Sequence, residues 1–465
     1  LLGVTLAGLL AQGLRAQVSP TFSPELVDSY ISEQIEKRHI PGASVAVVRD
    51  GKILLAKGYG LANAELNVPA TEHTVYQLAS VTKPFTATAV MVLVEGGRLG
   101  LDDSIGTHLQ DLPEAWRGVT VRQLLSHTSG IKSYTSVPGF QKTVRKDFAK
   151  REILDMVTKE PAEFAPGEKW SYCNTGFFLL GMLIEEVSGQ SYPEFMAERL
   201  FKPAGMAHTR ANDLRAVIAN RAQGYAWTGK ELRNGEPTSP TQPFAAGMLV
   251  STVADMAKWG EALIGEKIVK KSSIEQMWAP ATLNDGTKAQ YGLGWGIARI
   301  NGHRRIGHGG GIEGFSTEYA RYPNDGLTVV VLTNLEGGDA GILARGIAGL
   351  VIPELSPKRE EPIEDKDPET TKRLRQALLG AVKGALDPDL FADETYKALQ
   401  PRVETSKEQT AHFGDLKSFS LLERREGRPG LELRYRAEFE NGTAMVNFAV
   451  DKEGKIRGIG LRPAD

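Results

Sequence analysis

The chain has 465 residues, 41% of them hydrophobic and 24% charged, the composition of an ordinary soluble globular protein. Lys plus Arg number 55 against 57 Asp plus Glu, for a net charge of -2, and a surface so balanced carries no electrostatic footprint for nucleic acid or an anionic membrane. At roughly 150 residues per domain the length predicts two to three folding units, and the single cysteine, Cys173, leaves no intramolecular disulfide and no cysteine-based zinc site.

Leu1 to Leu10 is almost wholly apolar, and Leu14-Arg15-Ala16 ends in the small residue that a signal peptidase needs. Residues 1–16 are therefore expected to be the remnant of a signal peptide, and the protein to be exported, periplasmic or extracellular. The stretch is shorter than the roughly 20 apolar residues that cross a bilayer, so the mature form is expected to have no membrane span. From Pro24 to Arg38, Leu26, Val27, Tyr30, Ile31 and Ile35 recur at helical spacing. Ala43 to Val48 reads as a buried strand, and Asp50-Gly51 as a hairpin turn into Ile53 to Ala56. A long middle section, residues 75–270, reads as mostly helical. Strands return as Trp295 to Ile300, His303 to Gly307, Phe315 to Tyr322 and Leu327 to Thr333, with Asn324-Asp325-Gly326 turning between the last two. A sheet built from both ends with a helical insertion predicts an α/β (α+β) sandwich carrying an all-α subdomain, over residues 24–352. Residues 353–368 are rich in proline and charge without apolar period and read as a linker. Residues 369–465 then form a small α+β unit. A helix is expected over Thr370 to Leu386 and a second over Pro388 to Leu399. Strands follow at Phe419 to Arg424, Leu431 to Glu440 and Thr443 to Val450, with Asn441-Gly442 as a hairpin turn and Ile456 to Leu461 as a fourth strand.

Ser-x-x-Lys occurs twice. Ser129-Gly130-Ile131-Lys132 runs into the polar stretch Ser133-Tyr134-Thr135-Ser136 and reads as a loop, where the two side chains have no fixed relation. Ser80-Val81-Thr82-Lys83 opens a helix, because Phe85, Ala89, Val92 and Leu93 continue an apolar face and Pro84 falls in the first turn, which has no amide partner to lose. At i and i+3 the hydroxyl and the amine share one face, and the helix N-terminus adds positive potential where an alkoxide would form. A serine hydroxyl needs a base, and a lysine with a free pKa near 10.4 serves at neutral pH only when desolvated or set beside another cation.

Two further elements carry a resemblance. Tyr172-Cys173-Asn174, within PGEKWSYCNTGFFLLG, resembles the Tyr-x-Asn element of class C β-lactamases and their esterase and peptidase relatives. His308-Gly309-Gly310, within GHGGGIEGF, resembles the third element of that family of serine β-lactamase and penicillin-binding-protein-like enzymes, and TVRQLLSHTSGI over Thr120 to Ile131 resembles its path out of the nucleophile's helix. The resemblance covers about residues 24–350, with the elements in the family's order. Tyr322-Pro323-Asn324 repeats the second spacing out of order.

The resemblance implies a β-lactamase/transpeptidase-like antiparallel sheet flanked by helices. It makes Ser80 the nucleophile, with Lys83 and Tyr172 sharing the work of proton acceptor and donor. The oxyanion hole would be the backbone amides of Ser80 and Gly311, and Asn174, His308 and Gly310 would meet substrate. Tyr172 as a phenolate would need a pKa well below about 10. His308 stands where β-lactamases keep a lysine for the drug's carboxylate, and a mostly neutral imidazole is a weaker anion anchor. With Gly309 and Gly310 leaving the strand edge bare and room for a bulkier acyl partner, the expectation is a peptidase or esterase for D-amino-acid-containing peptides or simple esters. A β-lactamase and a non-hydrolytic penicillin-binding receptor are the alternatives. His127 reads as part of a capping loop and Cys173 as a packed small side chain. No metal and no cofactor are expected, since the histidines show no i, i+4 pairing and no phosphate loop is present. The partner is a small-molecule or peptide substrate. The C-terminal unit resembles nuclear-transport-factor-like or cystatin-like modules by element order alone, and oligomeric state is open.

Overall fold

Strand residues that must be buried on both faces are apolar without alternation, and the centre of the main sheet is of this kind. A computed structural model describes residues 22–356, 360–410, 413–427 and 430–463; the leader expected over 1–16 lies outside the described residues. Helix α1 (Pro24–Lys37) leads into β1 (Gly42–Arg49) and β2 (Lys52–Asn63). Helices α2 (Thr82–Glu95), α3 (Asn174–Ser188) and α4 (Val253–Ile264) follow. Strands β3 (Gly296–Ile300), β4 (His303–Ile312), β5 (Phe315–Tyr322) and β6 (Leu327–Thr333) then lead to α5 (Ala340–Val351). The sheet runs β2-β1-β6-β5-β4-β3, antiparallel throughout, with the short strand Val68–Pro69 on the β2 edge. The chain's early and late strands meet at β1 and β6, where Ala46 lies opposite Val330.

Because side chains alternate along a strand, the two faces of this pair feed different cores. Val45, Val47, Val329 and Val331 pack with Val27 and Ile31 of α1 and Leu343 and Ile347 of α5. Ala46, Val48, Val330 and Leu332 face the larger core, with Met256 and Trp259 of α4. Helix α2 is buried from Thr82 to Leu93 and so runs through the interior of that larger core.

The middle section, expected to be mostly helical, also holds short strands. Tyr76–Gln77, Leu249–Ser251 and Arg210–Ala211 form a three-stranded sheet, and Tyr225–Trp227 pairs with Leu232–Asn234. Strands of two or three residues are too short to show an alternation, which is why no pattern marks them.

Beyond the core, α6 (Pro368–Lys383) is capped by the Asp367 carboxylate, which accepts the Thr370 amide at 3.2 Å. Its Leu374, Ala377 and Leu378 pack on one face of a sheet of four antiparallel strands, β7 (Leu416–Glu426), β8 (Gly430–Phe439), β9 (Gly442–Asp451) and β10 (Ile456–Pro463). The helix expected over Pro388 to Leu399 divides into a 3-10 turn (Pro388–Leu390) and a helix (Asp393–Leu399), and a further helix, Val403–Thr410, went unread because it is polar with little apolar period. The connecting segment is held at both ends. Asn301 donates to the carbonyls of Glu354 and Ser356, both at 2.8 Å, while the Ile363 amide donates to Leu421 at 2.9 Å and Glu360 pairs with Arg434 at 2.7 Å. Among the described residues, no helix is long and apolar enough to cross a membrane, and no group of His, Cys, Asp or Glu is arranged to hold a metal ion.

Candidate active site

Ser80 lies in a 3-10 turn (Ala79–Val81) that runs directly into α2. The residue before it, Ala79, has φ +48°, a left-handed value that costs a side-chain-bearing residue energy and persists only when its surroundings fix it. Those surroundings are β4, β5 and the short strand at Leu249. The Leu78 amide donates to Leu249 O at 2.8 Å, and Thr317 Oγ1 donates to Leu78 O at 2.8 Å. A Cβ on Gly310 would collide with Leu78 O and Thr317 Oγ1 and stand 3.2 Å from the Ala79 methyl. Gly310 is thus a glycine because its strand presses against the turn that carries Ser80. Its missing side chain points at the protein, which corrects the expectation that it opens room for a bulky acyl partner.

Lys83 is fully buried, yet its ammonium finds three acceptors: Ser80 Oγ at 3.0 Å, Asn174 Oδ1 at 2.9 Å and the Ala246 carbonyl at 2.9 Å. The Tyr172 and Phe177 rings lie 4.7 and 5.5 Å from Nζ. Burial pulls the amine down to about 7, so near neutral pH a large share is unprotonated and can accept the Ser80 proton across that same contact.

Tyr172 is hydrogen-bonded to Ser80, but burial pushes its phenol up and outweighs that bond. Burial therefore favours the protonated phenol at neutral pH. As a phenol, Tyr172 has a proton to donate. Asn174 is committed at both ends of its amide, Oδ1 to Lys83 and Nδ2 to Thr135 Oγ1 at 3.1 Å, while its backbone amide donates to Ser133 Oγ at 3.1 Å.

His308 is buried, and its ring is held by its own strand and one neighbour. A carbonyl can only accept, so the 2.6 Å contact to Gly309 O puts the proton on Nδ1, and Nε2 accepts from Tyr291 Oη at 2.9 Å. Burial, then the Lys83 charge, hold the imidazole down to about 3. It is a neutral ring with both nitrogens engaged, rather than a free donor to substrate. Gly311, the next position but two, has open space at its Cα.

The structure thus brings Ser80, Lys83, Tyr172 and Asn174 into hydrogen-bonded contact, with the His308 ring 6.1 Å from that of Tyr172. The second Ser-x-x-Lys is not a pair: Ser129 Oγ accepts the Ile131 amide at 3.3 Å, and Lys132 binds Glu160 at 2.6 Å. Cys173 is buried, donates to Ile131 O at 3.1 Å, and has its thiol pushed up to about 11 by burial. Four contributors went unread. Ser133 and Thr135 stood in a stretch taken as featureless loop, Ala246 acts through a carbonyl that every residue possesses, and Tyr291 precedes β3 with no motif around it.

A family model described as "Beta-lactamase" matches residues 27–351. The chain is 31% identical over 322 residues to "Penicillin-binding protein 4*" of Bacillus subtilis (strain 168), covering 65% of this chain and 70% of that protein. Among solved structures, the octameric penicillin-binding protein homologue from Pyrococcus abyssi is similar with a TM-score of 0.64 and 26% identity, over 94% of this chain and 99% of that one. D-amino acid amidase from Ochrobactrum anthropi SV3, complexed with L-phenylalanine amide, is similar with a TM-score of 0.62 and 26% identity, over 71% and 97%.

Proposed function

The chain belongs to the β-lactamase family and is a serine hydrolase, and on that premise we propose that it cleaves amide or ester bonds of small substrates through an acyl-enzyme on Ser80. The observation that carries this reading is the 3.0 Å contact between Ser80 Oγ and a buried Lys83 amine held down to about 7. Neutral Lys83 takes the Ser80 proton as Oγ bonds to the substrate carbonyl. The resulting oxyanion lies between the amides of Ser80 and Gly311, donors that need no reorganisation during the reaction. The C–N or C–O bond then breaks, the leaving group takes the Tyr172 proton, and Lys83 returns one to the phenol. Water then gives a proton to the same amine and adds to the acyl carbon, the bond to Ser80 Oγ breaks, and Lys83 returns the proton to Oγ as the acid leaves.

D-amino-acid amides and peptides, or simple esters, are the substrates that the neutral His308 favours, because no fixed cation stands there for a drug's carboxylate. The likeness to the D-amino acid amidase supports the amide side of this choice. The likeness to a penicillin-binding protein supports a second reading, a receptor whose acyl-enzyme persists. We further propose that the protein is exported and that residues 369–465 are a separate folding unit.

The test is covalent labelling by a fluorophosphonate and by a fluorescent penicillin, with the adduct mapped. Ser80→Ala should lose labelling and hydrolysis of a p-nitrophenyl ester, while Ser129→Ala keeps both. The opposite result would reassign the nucleophile. A burst of product equal to the enzyme concentration, with no turnover after it, would select the receptor.

A further inference from the structure

His127 follows the short helix Val121–Leu125 and is buried, 1% exposed, although no step above uses it. Its contacts bracket one residue. The His127 carbonyl accepts the Ser171 amide at 3.0 Å, and its Nδ1 accepts the Cys173 amide at 3.1 Å. Between these two bonds stands Tyr172, whose ring centroid lies 4.4 Å from the imidazole at a tilt of 42°. The imidazole also meets Tyr291 at 4.7 Å, the same tyrosine that donates to His308.

Two features indicate that this arrangement is maintained against a cost. His127 has φ +58°, a left-handed value uncommon for residues with a side chain, though less so for histidine than for most. Since Nδ1 accepts, the ring proton is on Nε2, and that nitrogen is buried without a hydrogen-bond partner in the protein. An unpaired buried donor carries a desolvation cost that an apolar side chain of similar size would avoid. Packing alone does not explain a histidine here.

We propose that His127 is a positioning residue for Tyr172, fixing the backbone on both sides of it and backing its ring so that the phenol stays against Ser80. The inference rests on the reading of Tyr172 as the proton donor of the reaction. It predicts that His127 matters only through Tyr172. An amide oxygen on a one-carbon stem, as in asparagine, reaches the place of Nδ1 and tolerates the left-handed backbone, whereas glutamine carries its oxygen past that place.

The experiment is a double-mutant cycle on the full chain, with a p-nitrophenyl ester as substrate and thermal melting as the control for folding. Tyr172→Phe should lower kcat by at least about 100-fold. His127→Ala should lower kcat by at least about tenfold with little change in KM, the signature of a misplaced catalytic group. In the Tyr172→Phe background the same substitution should cost less than about twofold. His127→Asn should restore most of the rate and His127→Gln should not. If Tyr172→Phe is near wild type, the reading of Tyr172 fails and takes this inference with it. If Tyr172→Phe is slow but His127→Ala is harmless, or costs the same in both backgrounds, only the inference is overturned. Should His127→Ala fail to fold, the Asn and Gln variants decide: equal rates overturn it, and a faster Asn variant supports it.

Discussion

Acidifying the solution should switch the enzyme off through Lys83. Burial moves this amine from 10.5 down to about 7, and a change of that size corresponds to about 5 kcal/mol of preference for the neutral form. The neutral form is the base, so kcat/KM should rise about tenfold per pH unit below about pH 7 and level off above about pH 8. At about pH 5 only about 1% of the plateau rate should remain. A free histidine also titrates near 6.5, so the limb needs an owner. His308 is held down to about 3 and is neutral across the whole window, so His308→Gln must leave the midpoint in place even if it lowers the plateau. The assay is initial-rate hydrolysis of a p-nitrophenyl ester across that range for both proteins. A flat profile, or a limb that vanishes with His308→Gln, would refute the assignment of the base. The same shift has a stability side. Between about 7 and 10.5 the unfolded chain keeps a proton that the folded one has released, so Lys83 makes folding more favourable as pH rises through that window. Lys83→Met should remove that slope from the pH dependence of urea midpoints.

Gly310→Ala should cost at least about 1–3 kcal/mol and most of the activity, because the new methyl meets backbone at Leu78, which cannot yield without moving the nucleophile's turn. Gly311→Ala, which has open space, should melt within a few degrees of wild type; equal losses for the two would break the link between β4 and Ser80. His308→Lys should speed acylation by nitrocefin while slowing ester turnover, and, by adding a like charge near Lys83, should move the acid limb to lower pH. Efficient nitrocefin turnover by the wild type would sink the substrate argument. A chain ending at Ser356 should stay soluble and label at Ser80, since the main sheet is complete at β6; an insoluble or unreactive product would show that the C-terminal unit is part of the core.

Ser80 and Lys83 were legible because their chemistry needs one helical turn and a helix start, both of which leave local marks. The sheet was legible for the same kind of reason: Val45 to Val48 and Val329 to Leu332 are continuous apolar runs in segments bounded by turns. Tyr172 came from motif order, which named the residue but left its ionisation open, since burial is a property of neighbours distant in the chain. The third acceptor of Lys83 left no mark at all, because a backbone carbonyl at Ala246 has no letter of its own. Thr135 and Ser133 had letters, but they followed the decoy Ser129-x-x-Lys132 and shared its dismissal. His127 stood in a stretch whose resemblance was noticed and whose purpose was not, because its two bonds reach across to Ser171 and Cys173.

The three acceptors of Lys83 have a consequence for the life of the chain. Ser80 is a near neighbour, but Asn174 and Ala246 lie 91 and 163 residues further along. Until those distant segments are in place, the lysine is an ordinary solvated cation and the serine an ordinary alcohol. A chain still being synthesised, threaded or refolded therefore carries no reactive hydroxyl, and the chemistry switches on only when the last of the three partners arrives. Reactivity in this protein doubles as a report that the domain has closed.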